Sequence, residues 1–147
     1  MTKKGYHMKQ LLLTAAALLL VAGCTSQPIY NVSDASTRVY NNDFEPTEQQ
    51  VEQAIMLGAT RYGWQPQLVE PGLIEASILL RDHQATVEIP YSARSYSIRH
   101  KSSENLDYDN GEIHRNYNRW VMNLSSAIQQ QLSAEAYGGS PQGEQIR

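Results

Sequence analysis

The sequence predicts an α+β fold: a two-layer sandwich in which a four-stranded antiparallel meander carries two amphipathic helices on one face. Three observations predict it. Apolar residues recur every three or four positions near 47–62 and again near 112–135, the spacing of one helix face. Between them, from 65 to 101, the spacing falls to two, as in a half-buried strand. Turn-forming residues divide that middle stretch at Pro71-Gly72, Asp82-His83-Gln84 and Ala93-Arg94. A sheet with one apolar face and helices with one apolar stripe bury both by packing together.

The chain starts with a segment of another kind. Lys3, Lys4 and Lys9 precede thirteen uncharged, mostly apolar residues from Leu11 to Gly23, the layout of an export signal over residues 1–23. Thr25, Ser26 and Gln27 close the run well short of the roughly 20 apolar residues that span a bilayer. Met8 serves as well as Met1 for the start, since the signal is complete from there. The one cysteine, Cys24, follows at once, and Val21-Ala22-Gly23-Cys24 resembles the lipobox of bacterial lipoproteins. That resemblance implies cleavage before Cys24, a diacylglycerol thioether on its sulfur and an acyl chain, such as palmitate, on the freed amine. Each buried methylene contributes about 0.8 kcal/mol, and two or more chains anchor stably where one does not. Thr25 stands where Asp marks inner-membrane retention in Gram-negative lipoproteins. The resemblance therefore implies an outer-membrane protein facing the periplasm.

Cleavage would leave 124 of the 147 residues, enough for one domain with a modest core. The three lysines would go with the signal, so nine basic residues would face 15 acidic ones, a formal charge of −6. That balance disfavours nucleic acid, whose binding needs clustered positive charge. With Cys24 acylated no thiol remains for a disulfide, a zinc–thiolate site or a nucleophile.

Residues 24–44, TSQPIYNVSDASTRVYNNDF after the cysteine, are polar and without sustained periodicity, and read as a flexible tether. The alternative is an edge strand using Ile29, Tyr30, Val39 and Tyr40. The domain is expected over 45–136. Its first helix starts after Pro46, where Thr47 and Gln50 fit a capping box, shows Val51, Ile55, Gly58 or Ala59, and Tyr62 on one side, and stops at Gly63. Strands follow near 65–70, 73–81, 85–91 and 95–101. Alternation turns Ala76, Ile78, Leu80, Ala85, Val87, Ile89, Tyr91, Tyr96 and Ile98 inward. It turns Glu75, Ser77, Leu79, Arg81, Thr86, Glu88, Ser95, Ser97, Arg99 and Lys101 outward. Pro90 cannot donate to a ladder and belongs at a strand end. The second helix, 112–135, carries Ile113, Tyr117, Trp120, Val121, Leu124, Ile128 and Leu132 on one face. Residues 137–147 read as a disordered tail.

Chemistry is thinly represented. Tyr117 and Trp120 share the apolar helix face and read as core, and His114 at its margin reads as a structural histidine. The histidines after Cys24 are His83, His100 and His114, with no short-spaced metal-binding pair. No nucleophile elbow and no glycine-rich phosphate loop occur. The expectation is a protein that is not an enzyme and uses neither cofactor nor metal. Binding candidates are Ser95, Ser97, Arg99 and Lys101 on the outward sheet face and Tyr108 and His114 beyond it. Hydroxyls, cations and tyrosines suit a protein, peptidoglycan or polyanion surface. A plain solvated face, positively charged against edge-to-edge pairing, accounts for the same residues. The alternative function is a small-ligand or hydrolytic site near the 105–114 loop, around Asp107, Tyr108 and His114.

Tyr91, Tyr96-Ser97-Ile98, Asn105-Leu106, Tyr108, Ile113-His114, Tyr117-Asn118, Trp120 and Asn123-Leu124 together resemble a group of small bacterial lipoproteins without an assigned activity. The likeness implies the signal, the anchor and a small α+β domain, and carries no catalytic residue. The combined expectation is a lipid-anchored envelope module on the periplasmic side of the outer membrane.

Overall fold

A computed structural model describes residues 25–40 and 43–138. The export signal, Cys24 and residues 139–147 of the expected tail lie outside the described residues. The fold is α+β. Strands β1 (Ser26–Pro28), β2 (Val32–Ser36), β3 (Gln65–Glu70), β4 (Leu73–Leu80), β5 (His83–Pro90), β6 (Ser95–Glu104) and β7 (Glu112–His114) accompany helices α1 (Glu48–Arg61) and α2 (Arg115–Gly138). Five strands form an antiparallel sheet in the order β2-β6-β5-β4-β3, and β1 pairs with β7 in a second, two-stranded sheet.

Helix α1 starts as its sequence dictates. Thr47 accepts from the Gln50 backbone N–H while the Gln50 side chain accepts from Thr47 N, closing the capping box. At the other end Gly63, at φ 82°, lets the Gly63 and Trp64 N–H groups turn back to the Thr60 and Ala59 carbonyls, each at 3.1 Å. This turn delivers the Trp64 ring into the core, where it is 2% exposed. Gly58 sits against the other helix so closely that an added Cβ would lie 2.9 Å from Ile128 N. The two helices pack backbone to backbone at that point.

The meander follows the period-two pattern. Ile74, Ala76, Ala85, Val87, Ile89 and Ile98 are fully buried beneath the helices; burying each branched aliphatic side chain contributes about 1.5–3 kcal/mol. Pro90 is the last residue of β5, opposite Leu73. Polar bridges help fix the layers: Tyr91 donates to Glu52 on α1, and Tyr96 Oη lies 2.9 Å from Ser125 Oγ on α2. Burial, with the Glu52 carboxylate behind it, pushes the Tyr91 phenol up to about 12.

Three expectations need correction. The tether over 24–44 is structured across 26–36: Val32 pairs with Ile98 and Ala35 with Tyr96, so the meander gains a fifth strand at its β6 edge. The strand uses none of Ile29, Tyr30, Val39 and Tyr40, which all lie outside β1 and β2. Residues 112–114 form β7 rather than the first turn of the second helix, because Ser26–Pro28 pairs with them. Leu80, expected inside, is 53% exposed at the end of its strand, and Ser97 and Thr86, expected outside, are buried.

Candidate functional site

The sequence-predicted residues fall into three places. The first is a shallow depression of about 210 Å³ at the start of β6, where Ser95, Ser97 and Arg99 meet Asp34 and Ser92. Here Ser97 holds the fold together: its Oγ accepts from Asp34 N at 3.0 Å, across a bulge in β2 where Asp34 takes φ 47°. Ser97 is 3% exposed because β2 covers it. Ser95 is half-buried in the turn in which Ser92 N donates to Ser95 O at 2.9 Å. Of the three, Arg99 alone is exposed.

The second place is the open face of the sheet. The β5–β6 register skips one residue between Thr86↔Ser102 and Val87↔His100. Lys101 is thereby the extra residue of a bulge, and bulges re-aim a side chain. Its ammonium bonds to Glu75 and lies 3.3 Å from Glu88, and these two carboxylates hold its proton more tightly than usual. Next to this ladder Ser77 Oγ and Thr86 Oγ1 are 2.9 Å apart. Exposed Leu68 and Val69 lie on the β3 edge of the same sheet.

The third place is the end of the domain at which β4 stops, β5 starts and α2 begins. Leu106 is buried and anchors the 105–114 loop, and Tyr108 stacks on His100 with ring centroids 4.4 Å apart. His100 also meets Tyr117 edge-on at 5.3 Å, and its Nε2 lies 3.0 Å from Ser103 Oγ. Burial pulls the His100 imidazole below its ordinary range. Burial likewise pushes the Tyr117 phenol far up, and its Oη has no hydrogen-bond partner among the described residues. His114 has a structural duty: its Nδ1 accepts from Asn116 N at 3.2 Å, which makes it the cap of α2. Asp107 is exposed with φ 50°. The loop thus gathers Asp107, Tyr108 and His114 at one end, yet His114 faces its helix and Tyr108 faces His100. Among the described residues no group of three or more His, Cys, Asp or Glu side chains could hold a metal.

Sequence reasoning missed an apolar cleft. A cleft of about 300 Å³ opens between α1, the β4–β5 turn and α2, lined by Tyr62, Trp64, Ile78, Leu80, Arg119 and Trp120 among others. Both tryptophans of the chain are on it. A signal was present: the run Ile78-Leu79-Leu80 breaks the alternation, so one of its members has to leave the core. In fact both leucines do, at 67% and 53% exposure.

No protein-family model, no curated protein and no solved structure matches this chain. No helix among the described residues is long and apolar enough to cross a membrane.

Proposed function

We propose that the protein is a lipid-anchored module of the bacterial cell envelope, held in the outer membrane through Cys24 and facing the periplasm. In this reading it is an accessory binding protein and not an enzyme, and its open sheet face takes an envelope protein or peptidoglycan. The observation that carries the reading is the asymmetry of the sheet. Helices seal one side, while the other keeps the Glu75–Lys101–Glu88 ladder and the Ser77–Thr86 pair. Polar groups already fixed by one another lose little freedom when a partner docks, which favours recognition.

The small-ligand or hydrolytic alternative near the 105–114 loop has less support. The nearest serine–histidine contact is Ser103 with His100, and that ring lies between Tyr108 and Tyr117 with no carboxylate bonded to it among the described residues. A hydrolytic histidine needs an orienting partner of that kind.

A photo-crosslinker placed in turn at Gln67, Ser77 and Arg99 in the native envelope tests the proposal. One recurrent adduct, lost on Lys101→Glu, is the expected result; silence at all three positions on a folded protein refutes the sheet-face reading. Cys24→Ser tests the anchor separately, and is expected to leave an unprocessed, unacylated precursor.

A further inference from the structure

The described chain begins one residue after Cys24, and it is fastened there. Thr25 O accepts from Arg115 N at 2.9 Å, Ile29 N donates to Gly111 O at 2.9 Å, and Ser26–Pro28 pairs with Glu112–His114. Asn118, itself buried, clamps the same segment: its Oδ1 accepts from Tyr30 N and its Nδ2 donates to Pro28 O, both at 2.9 Å. Consecutive Cα atoms are about 3.8 Å apart. A lipid carried by Cys24 therefore enters the bilayer beside this end of the domain, with no intervening length of free chain.

The same end carries two adjacent exposed leucines, Leu79 and Leu80. Ser26 pairs with His114, the His114 ring lies 5.9 Å from the His83 ring, and His83 pairs with Leu80. Three neighbour contacts thus lead from the anchor to the β4–β5 turn, where Leu79 and Leu80 are more than half exposed. Arg119, one helical turn after Arg115, lines the cleft with Trp120 and both leucines. Tryptophan at the headgroup level, leucine just below it and arginine on the phosphates is the composition of an interfacial contact.

From this geometry we infer that the end of the domain bearing Thr25, Leu79, Leu80 and Trp120 rests on the leaflet that holds its own acyl chains. The inference depends on the anchor proposed above. Acidic Asp82, Asp107, Asp109 and Glu112 lie at this end too, so contact is driven by apolar insertion and not by anionic lipid. Two fixed points, the anchor and the leucine turn, stop the domain from swivelling. The strands then rise from the membrane, and the open sheet face looks sideways into the periplasm.

The chain's two tryptophans supply the test. The mature, full-length protein with Trp64→Phe, so that Trp120 alone emits, is placed in phosphatidylcholine–phosphatidylglycerol vesicles with a spin label in the headgroup region. Intact mass reports acylation of the same sample. The expected result is an acylated protein that loses most of its Trp120 emission. Leu79→Asp with Leu80→Asp restores the emission while the protein stays on the vesicles, and Val69→Asp, on the β3 edge, leaves the quenching unchanged. Full emission from an acylated, folded protein overturns the resting face and leaves the anchor standing. An unacylated mature chain overturns both. Emission that changes with protein concentration but not with the spin label assigns the patch to a second copy of the chain and likewise overturns the inference.

Discussion

The N-terminal segment, 25–37, and the meander, 65–104, are both sheet, yet they are held in opposite ways. The meander is held by apolar alternation, with Ile74, Val87, Ile89 and Ile98 wholly removed from water. The segment buries few side chains, chiefly Val32 and Thr37. It is fastened instead by polar atoms reaching from far along the chain: Asn118 to Pro28 and Tyr30, Ser97 to Asp34, and Thr37 Oγ1 donating to Ala93 O at 2.6 Å. A network of this kind stabilises by satisfying backbone groups that would otherwise be buried unpaired. The meander should therefore fail globally when damaged, and the N-terminal segment locally.

The largest effect is expected in the meander. Ile89→Ala leaves a cavity beneath α1 and α2 and should cost about 3 kcal/mol, lowering the denaturant midpoint of the whole domain together. A midpoint shift confined to one probe would contradict that. Asn118→Ala should cost about 2 kcal/mol by orphaning its two backbone partners. Its signature is hydrogen exchange: the amides of 26–31 should lose protection while those of β4 and β5 keep theirs. Equal loss in both regions would show that the segment and the meander form one cooperative unit.

The smallest effect sharpens the comparison at its boundary, where His100 N donates to the Asn31 side chain and the His100 ring packs between Tyr108 and Tyr117. Burial depresses the folded-state affinity of this imidazole for its proton. Below about pH 6.5 the unfolded chain binds the proton and the folded one resists it. Its contribution is thus complete above about pH 6.5 and is lost as pH falls through the lower folded value. His100→Gln, compared with the parent by urea titration at pH 7.5 and 5.5, should narrow the difference between the two; an unchanged difference would place the pH dependence elsewhere.

Much of the fold was legible because periodicity and turn chemistry are local. The Thr47–Gln50 box, the Gly63 stop, the Pro71-Gly72 turn and the four meander strands need no knowledge of distant residues. Strand β2 and the β1–β7 pair were not legible, because side chains 56 to 90 residues away hold them. Ser97 looked like a surface hydroxyl for the same reason: its cover comes from a strand whose own sequence, VSDAS, carries no alternation. The cleft was half-written in Ile78-Leu79-Leu80, but its tryptophans were indistinguishable from core until α1 and α2 were placed.

By itself, then, the sequence determined the α+β class, the capped helices, the apolar face of the meander and the Cys24 signature that motivates the anchor. Tertiary structure decided which outward residues are truly outside, that Lys101 is aimed between two carboxylates, and that Thr25 lies at the end bearing the leucine turn. The division has one physical cause. Local propensity and hydrophobic period are properties of neighbours in the chain, whereas cover, ion pairing and the place of an anchor are properties of neighbours in space.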